Sequence, residues 1–394
     1  MKHPSLRLFL ILLVLSVNAN AMQIASSKPI NKSPIMLADK GNVKIYNSAT
    51  KNWNNWGLVP DDMPDIYEVS IKNDKTVHVI FKSTIDSLKF TVKEGTTIDF
   101  IIDWNGKLCH QRIIGKKYIP AANFTTDYQK ANEGTIAIRI PKVYELVNAA
   151  MAISEFGRAN PYRIYQHSEY YQQVLEWFTP FQNHPFIGVI DSVMHQNAFN
   201  YAPLKMNANA FCFDKNGTIK RSEIFDRTGF SDQKSNYLLP YVKHMQQFAD
   251  ASDFLQFYKT HQSVYDGQIA VFRDSIDLPG MQTWLEKNFP GTNSYDFYHI
   301  VFSPLVSYHQ STTWFESNGF RELQPHVNFP YKRDLRRLQP LSDHAGYVYR
   351  GNIVFTELNH GYINPISDKY RNQILKAISN FEYWVDTSKT GSSY

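Results

Sequence analysis

The chain has 394 residues, a formal net charge of +5 and a hydrophobic fraction of 43%. This length allows two or three domains, and the hydrophobic fraction is sufficient for a sizeable core. A mild excess of positive charge in so long a chain does not indicate nucleic-acid binding, so we expect no nucleic acid as a partner.

The N-terminus has the three parts of an export signal. Lys2 and Arg7 give a positive start, residues 8–17 form an apolar run, and residues 19–21 are small, as signal peptidase requires. The apolar run is too short to cross a bilayer comfortably. We therefore expect cleavage of residues 1–21, no membrane span after that, and a mature protein in the periplasm or outside the cell.

The next part of the chain has the pattern of short β-strands. Residues 22–40 are polar and predict a flexible lead-in. Asn105-Gly106 marks a two-residue hairpin turn. Alternating hydrophobic residues predict strands over 67–71, 77–81, 88–92, 98–102 and 108–114. Short strands at regular spacing favour a small β-sandwich-like module, which we place at residues 41–120.

Beyond about residue 130 the periodicity becomes mainly helical, and we assign residues 130–394 to a second domain. A strand over 297–302 and a tight hairpin around Asn318-Gly319 interrupt the helices. Apolar residues three and four apart predict helices over about 143–153, 168–178, 184–194, 235–248, 252–276 and 280–289. The predicted fold class is therefore α+β, with a β-module followed by a mainly helical domain.

The most informative motif is Thr356-Glu357-Leu358-Asn359-His360. It has the spacing of a zinc-peptidase helix, H-E-x-x-H, with threonine in place of the first histidine. Such a helix holds two imidazoles one turn apart, with a glutamate between them that activates the metal-bound water.

This motif predicts a helix that begins near Asn352 and ends before Pro365, followed by a separate last helix from about residue 367. On that helix the side chains of residues 356, 357 and 360 project from one side. Asn364 lies seven residues after Glu357 and extends the same side. The alternative is a polar pair three residues apart on a partly exposed helix, a pattern that also arises by chance.

Three stretches, at residues 181–186, 301–307 and 356–365, resemble an uncharacterised family of exported bacterial proteins. Members of that family look like degenerate gluzincin (thermolysin-like) metallopeptidases, and the resemblance covers most of the mature chain beyond the β-module. It implies that Glu357 is the general base and His360 a zinc ligand. It also implies that the β-hairpin lies beside their helix and supplies an edge along which a peptide pairs.

Two features depart from the gluzincin pattern. A threonine hydroxyl at position 356 is a poor zinc ligand, and zinc takes three protein donors among His, Cys, Asp and Glu. Gluzincins take their third ligand, a glutamate, from a later helix, and the sole later glutamate here is Glu382. Glu382 is therefore the candidate third ligand, and we expect the chain to be truncated at its C-terminus relative to the pattern.

Other side chains could complete the site. Among the histidines, which are more often ordinary surface or core residues, His309 is the best placed because it precedes the hairpin directly. Thr356, Asn364 and His309 are the candidate substrate contacts. The histidines weighed for this role are His184, His299, His309 and His326.

Two functions stay open. The first is a zinc-dependent peptide hydrolase or its inactive descendant, with a peptide or protein as substrate. The second is a non-catalytic periplasmic or surface protein that binds peptide or glycan in an aromatic-rich cleft. Cys109 and Cys212 could pair in an exported protein, although two buried free thiols are favoured. The sequence does not indicate an oligomeric state.

Overall fold

The computed structural model describes residues 36–39, 43–58, 64–73, 75–229, 236–292, 294–308, 310–329, 331 and 340–377. The expected signal segment and most of the expected lead-in lie outside these residues. The chain divides into two compact units between Tyr118 and Ile119. Strands make up the first unit and helices dominate the second, which confirms the predicted α+β class.

The first unit is a β-sandwich. Its described strands form two four-stranded sheets, in the orders β1-β7-β8-β4 and β3-β2-β5-β6. Val69 and Phe100 from one sheet share a single core with Val79 and Phe81 from the other, because alternate residues of each strand point inward. The strands are β1 (Met36–Asp39), β2 (Val43–Asn47), β3 (Asn52–Trp56), β4 (Asp65–Ile71), β5 (Val77–Lys82), β6 (Ser87–Val92), β7 (Thr97–Trp104) and β8 (Lys107–Lys117).

The second unit combines helices with a mixed sheet. Its described helices are α1 (Thr126–Asn132), α2 (Lys142–Ile153), α3 (Glu155–Ala159), α4 (Glu169–Phe178), α5 (Pro185–Gln196), α6 (Tyr201–Ala208), α7 (Val242–Ala251), α8 (Phe254–Thr260), α9 (Gln262–Ser275), α10 (Leu278–Asn288) and α11 (Asp343–Ala377). Its strands are β9 (Thr135–Arg139), β10 (Phe211–Phe213), β11 (Ile219–Arg221), β12 (Phe297–Ser303), β13 (Ser311–Ser317) and β14 (Phe320–Asn328).

Local signals account for several helix boundaries. The side chains of Ser168 and His184 cap the first turns of α4 and α5, at the positions that the sequence predicts. The single helix predicted over 252–276 is wrong, because α8 and α9 are separated at His261. The Nδ1 atom of His261 lies 2.8 Å from the carbonyl oxygen of Phe257 and caps the end of α8.

The sheet of the second unit has the order β13-β14-β12-β9. Strands β9, β12 and β14 are parallel, whereas β13 runs antiparallel to β14 and forms an edge of the sheet. Asn318 and Gly319 connect β13 to β14 with φ angles of 53° and 77°, which confirms the predicted tight hairpin. Most other residue types adopt positive φ angles only rarely, so they would not form this two-residue turn easily.

The two faces of this sheet differ in character. Leu323 of β14 packs against Gly361 of α11 on one face. On the other face the ring centroid of His326 lies 5.6 Å from that of Tyr144 in α2. Glu322, Gln324 and His326 share that second face, and all three are fully buried. The sheet therefore separates α11 from a buried polar layer.

Helix α11 continues through Pro365, so the predicted end before this proline, and the predicted separate last helix, are wrong. The predicted start near Asn352 is also wrong, because the helix begins at Asp343. Proline has no N–H to donate to the carbonyl four residues earlier, which belongs to Gly361. The hydroxyl of Tyr295 donates to that carbonyl instead, over 2.7 Å. This tertiary bond compensates for the missing helical one.

Neither cysteine forms a disulfide. Cys109 is buried in the first unit, as expected, whereas Cys212 in the second unit is exposed, so the expectation that both are buried is wrong. Within the described ranges, no helix has both the length and the apolar character to cross a membrane.

Candidate functional site

A groove of about 230 Å³ lies between the start of edge strand β13 and helix α11. Three residues that the sequence nominated come together in it: Glu357, His360 and Asn364. The opposite wall comes from the strand, whose residues the sequence did not nominate. The residues that line this wall are Gln310, Ser311, Thr312 and Trp314.

Gly361 sets the distance between α11 and the sheet. A Cβ atom at this position would lie 2.4 Å from Leu323 Cδ1 and 2.9 Å from Cδ2. Glycine therefore lets the helix approach β14 closely without moving the Leu323 side chain. Because Glu357 and His360 lie within the preceding turn, this close approach also places them beside β13.

Glu357 is almost fully buried, with 5% of its surface exposed, yet it has a polar partner. The hydroxyl of Thr312 lies 2.7 Å from the backbone carbonyl oxygen of Glu357 and 2.9 Å from its Oε2 atom. Burial raises the pKa of the Glu357 carboxyl, while the Thr312 hydrogen bond, then His360 and Lys205, oppose that rise. The raised pKa brings the titration of this carboxyl closer to neutral pH than that of an exposed one.

His360 is exposed at the mouth of the groove. Its Nδ1 atom lies 3.3 Å from the Oδ1 atom of Asn364, one turn further along α11. An amide oxygen only accepts hydrogen bonds, so this contact favours a proton on Nδ1 and leaves Nε2 as an acceptor. The pair presents hydrogen-bonding groups to a ligand in the groove.

Thr356 does not line the groove, although the sequence places it on the same side of the helix as Glu357 and His360. Its hydroxyl oxygen lies 2.7 Å from the carbonyl oxygen of Asn352 and 3.0 Å from that of Ile353. The hydroxyl therefore donates back to its own helix, as threonine commonly does.

Lys205 is a buried cation that the sequence reading missed. It lies in α6, is fully buried, and its Nζ atom lies 5.7 Å from the centroid of the Tyr201 ring. Burial lowers the pKa of Lys205 to about 7, and the carboxylate of Glu357 partly opposes this. The only signal in the sequence is one lysine in the largely apolar stretch from 201 to 206.

The described residues do not fit a zinc ion. No group of three or more His, Cys, Asp or Glu side chains converges anywhere in the described ranges. Among the described residues that line the groove, His360 is the one imidazole, and the Thr356 hydroxyl is bonded to its own helix. Zinc requires about three donors, so this set is incomplete. Glu382 and His309, the other predicted contributors, lie outside the described residues.

Fold and groove together define a class: an α+β protein whose Glu-x-x-His helix packs beside the antiparallel edge strand of a mixed sheet. Comparison of the chain with models of protein families, with curated proteins and with solved structures finds no match in any of the three.

Proposed function

We propose that this is an exported peptide-binding protein, an inactive descendant of gluzincin-like peptidases, which holds an extended peptide in the groove between β13 and α11. The observation that carries the proposal is the position of Glu357, His360 and Asn364 directly across from an edge strand. An extended peptide can add to such an edge through main-chain hydrogen bonds.

The groove has features suited to a peptide. Its volume of about 230 Å³ is that of a subsite for one side chain rather than a pocket for a whole ligand. The partly exposed indole of Trp314 offers an apolar surface to that side chain. Across from it, the imidazole of His360 and the amide of Asn364 can bond the peptide backbone.

The side chains that could hold a metal in the described part of the groove favour peptide binding over peptide hydrolysis. Hydrolysis of the gluzincin type requires a metal-bound water beside the glutamate. Among the described residues, the groove lining offers one imidazole where that chemistry takes three protein donors.

The test uses the mature full chain and a fluorescein-labelled tryptic digest of casein. The protein is treated with EDTA, and binding is measured by fluorescence polarisation with and without added zinc. We expect the same binding in both conditions and no cleavage of intact casein. Casein cleavage that EDTA abolishes and that Glu357→Gln removes would overturn the proposal in favour of a zinc hydrolase. Failure of any peptide to bind would also contradict it.

A further inference from the structure

A second cavity lies in the same unit and shares no lining residue with the groove. Its volume is about 410 Å³, within the range of roughly 300–1,000 Å³ that is typical of small-molecule sites. Most of its wall is apolar. The apolar lining includes Ile138, Ile140, Phe211, Ile224, Phe225 and Ile269.

Two buried nitrogen atoms in this lining have no hydrogen-bond partner in the described part of the chain: Nε2 of His299 and Nδ2 of Asn209. His299 is 5% exposed and Asn209 is 8% exposed, so water does not satisfy them freely. A buried polar atom without a partner is costly, and native proteins tolerate few of them. Asn209 Nδ2 is a donor, so it points to a ligand that carries a hydrogen-bond acceptor.

A buried network fixes the ring of His299. Its Nδ1 atom lies 3.0 Å from Oε1 of Glu322, which is fully buried. The Tyr128 hydroxyl donates to the other carboxylate oxygen over 2.7 Å, and Gln324 Nε2 donates to Oε1 over 3.1 Å. A carboxylate only accepts hydrogen bonds, so Nδ1 carries a proton. The ring is thereby held with Nε2 as the atom left for a ligand.

Two exposed cations stand at the rim of the cavity, Arg139 and Lys142. The guanidinium of Arg139 lies 5.9 Å from the Phe297 ring centroid, and the ammonium of Lys142 lies 5.8 Å from that of Tyr258. Neither cation forms an ion pair with a carboxylate in the described ranges. The rim therefore has a positive charge that no described acid neutralises.

We infer that this cavity binds a small monocarboxylate with an apolar or aromatic body. The carboxylate accepts a hydrogen bond from Asn209 Nδ2. Arg139 and Lys142 supply the positive field that attracts the anion, and the apolar wall receives the body of the ligand. A neutral ligand of the same shape would gain no attraction from the charges of Arg139 and Lys142.

The test is isothermal titration calorimetry of the full chain with 4-phenylbutanoate and with the neutral 4-phenylbutanamide. We expect the acid to bind at least about tenfold more tightly than the amide. The double variant Arg139→Gln/Lys142→Gln changes only exposed side chains, so the fold is retained. It should weaken binding of the acid about tenfold and leave binding of the amide unchanged.

A matched control has the same change in net charge at exposed lysines outside the cavity lining, Lys215→Gln/Lys243→Gln. It should bind the acid as the unmodified protein does, and so should Glu357→Gln, because Glu357 belongs to the other groove. Equal affinity for acid and amide would overturn the inference. So would an equal loss in the two double variants, or no binding of the acid at all.

Discussion

The hydroxyl of Tyr295 donates a hydrogen bond to the carbonyl oxygen of Gly361 over 2.7 Å. Pro365, four residues later, has no backbone N–H and therefore cannot donate to this carbonyl. Tyr295 lies two residues before the start of β12, and Gly361 follows His360 directly. The bond therefore links the central sheet to the helix that carries the candidate site, at the point where that helix lacks one of its own bonds.

Replacing Tyr295 with Phe should destabilise the fold by about 1–3 kcal/mol, because it leaves the buried Gly361 carbonyl without a donor. The aromatic ring and its stacking against the Arg321 guanidinium, 4.4 Å from the ring centroid, would persist. Urea unfolding measures the loss. In a Pro365→Ala background the helix regains its own N–H donor, so the same change should cost less than half as much. An equal cost in both backgrounds would contradict this account of the helix.

Gly361→Ala should destabilise the protein by about 1–3 kcal/mol, because the new methyl group would overlap Leu323. Gly351 in the same helix provides the matched control. A Cβ there would meet only Met281 Cε, at an ordinary 3.6 Å. Gly351→Ala should therefore stabilise the helix by about 0.5–1 kcal/mol. Thermal unfolding of both variants decides the matter, and equal effects would show that α11 does not need glycine at 361.

Glu145 should make stability depend on pH. It is fully buried in α2, and burial raises the pKa of its carboxyl to about 7, partly opposed by hydrogen bonds from Ser303 and Tyr170. The folded state therefore holds this proton more tightly than the unfolded state, in which the pKa is near 4.5. Stability should fall as pH rises from about 4.5 to 7, by about 3 kcal/mol.

Glu145→Gln should remove that fall, because the amide does not ionise. Urea unfolding at several pH values between 4 and 8 gives the difference in stability between the two proteins. The unmodified protein should lose stability relative to the variant across this window. A constant difference over the whole range would show that Glu145 does not titrate in it.

Peptide binding should depend on His360 and not on Thr356. His360→Ala removes a side chain that lines the groove, and we expect affinity for casein peptides to fall about tenfold. Thr356→Ala changes an exposed residue of the same helix that lies outside the lining, and affinity should not change. Fluorescence polarisation compares the two. A loss with Thr356→Ala as large as that with His360→Ala would favour a site built on the zinc-helix pattern.

Much of the fold follows from local patterns. The strands of the sandwich alternate clearly, and Asn318-Gly319 fixes the hairpin, so both could be predicted. The continuation of α11 through Pro365 could not, because it depends on Tyr295, a residue 66 positions away from Gly361 along the chain. From the sequence alone, the missing N–H of Pro365 predicts that the helix ends before it.

The site was predictable on one side only. Glu357, His360 and Asn364 follow from helical spacing, because residues three and four apart share a face. Thr312 and Trp314 depend on the pairing of β13 with β14 and on how α11 packs there, which spacing does not reveal. Lys205 was missed because a lone lysine in an apolar stretch has no periodic signal, and its role comes from burial near Glu357.

Hydrogen–deuterium exchange on the EDTA-treated protein tests the central claim most directly. Adding a casein peptide that binds should slow amide exchange in β13 and around residues 357–364 of α11. The opposite edge of the same sheet, β9, should exchange as before and serves as the internal reference. Protection confined to other parts of the chain, or protection that appears only after zinc is added, would contradict a metal-free peptide groove.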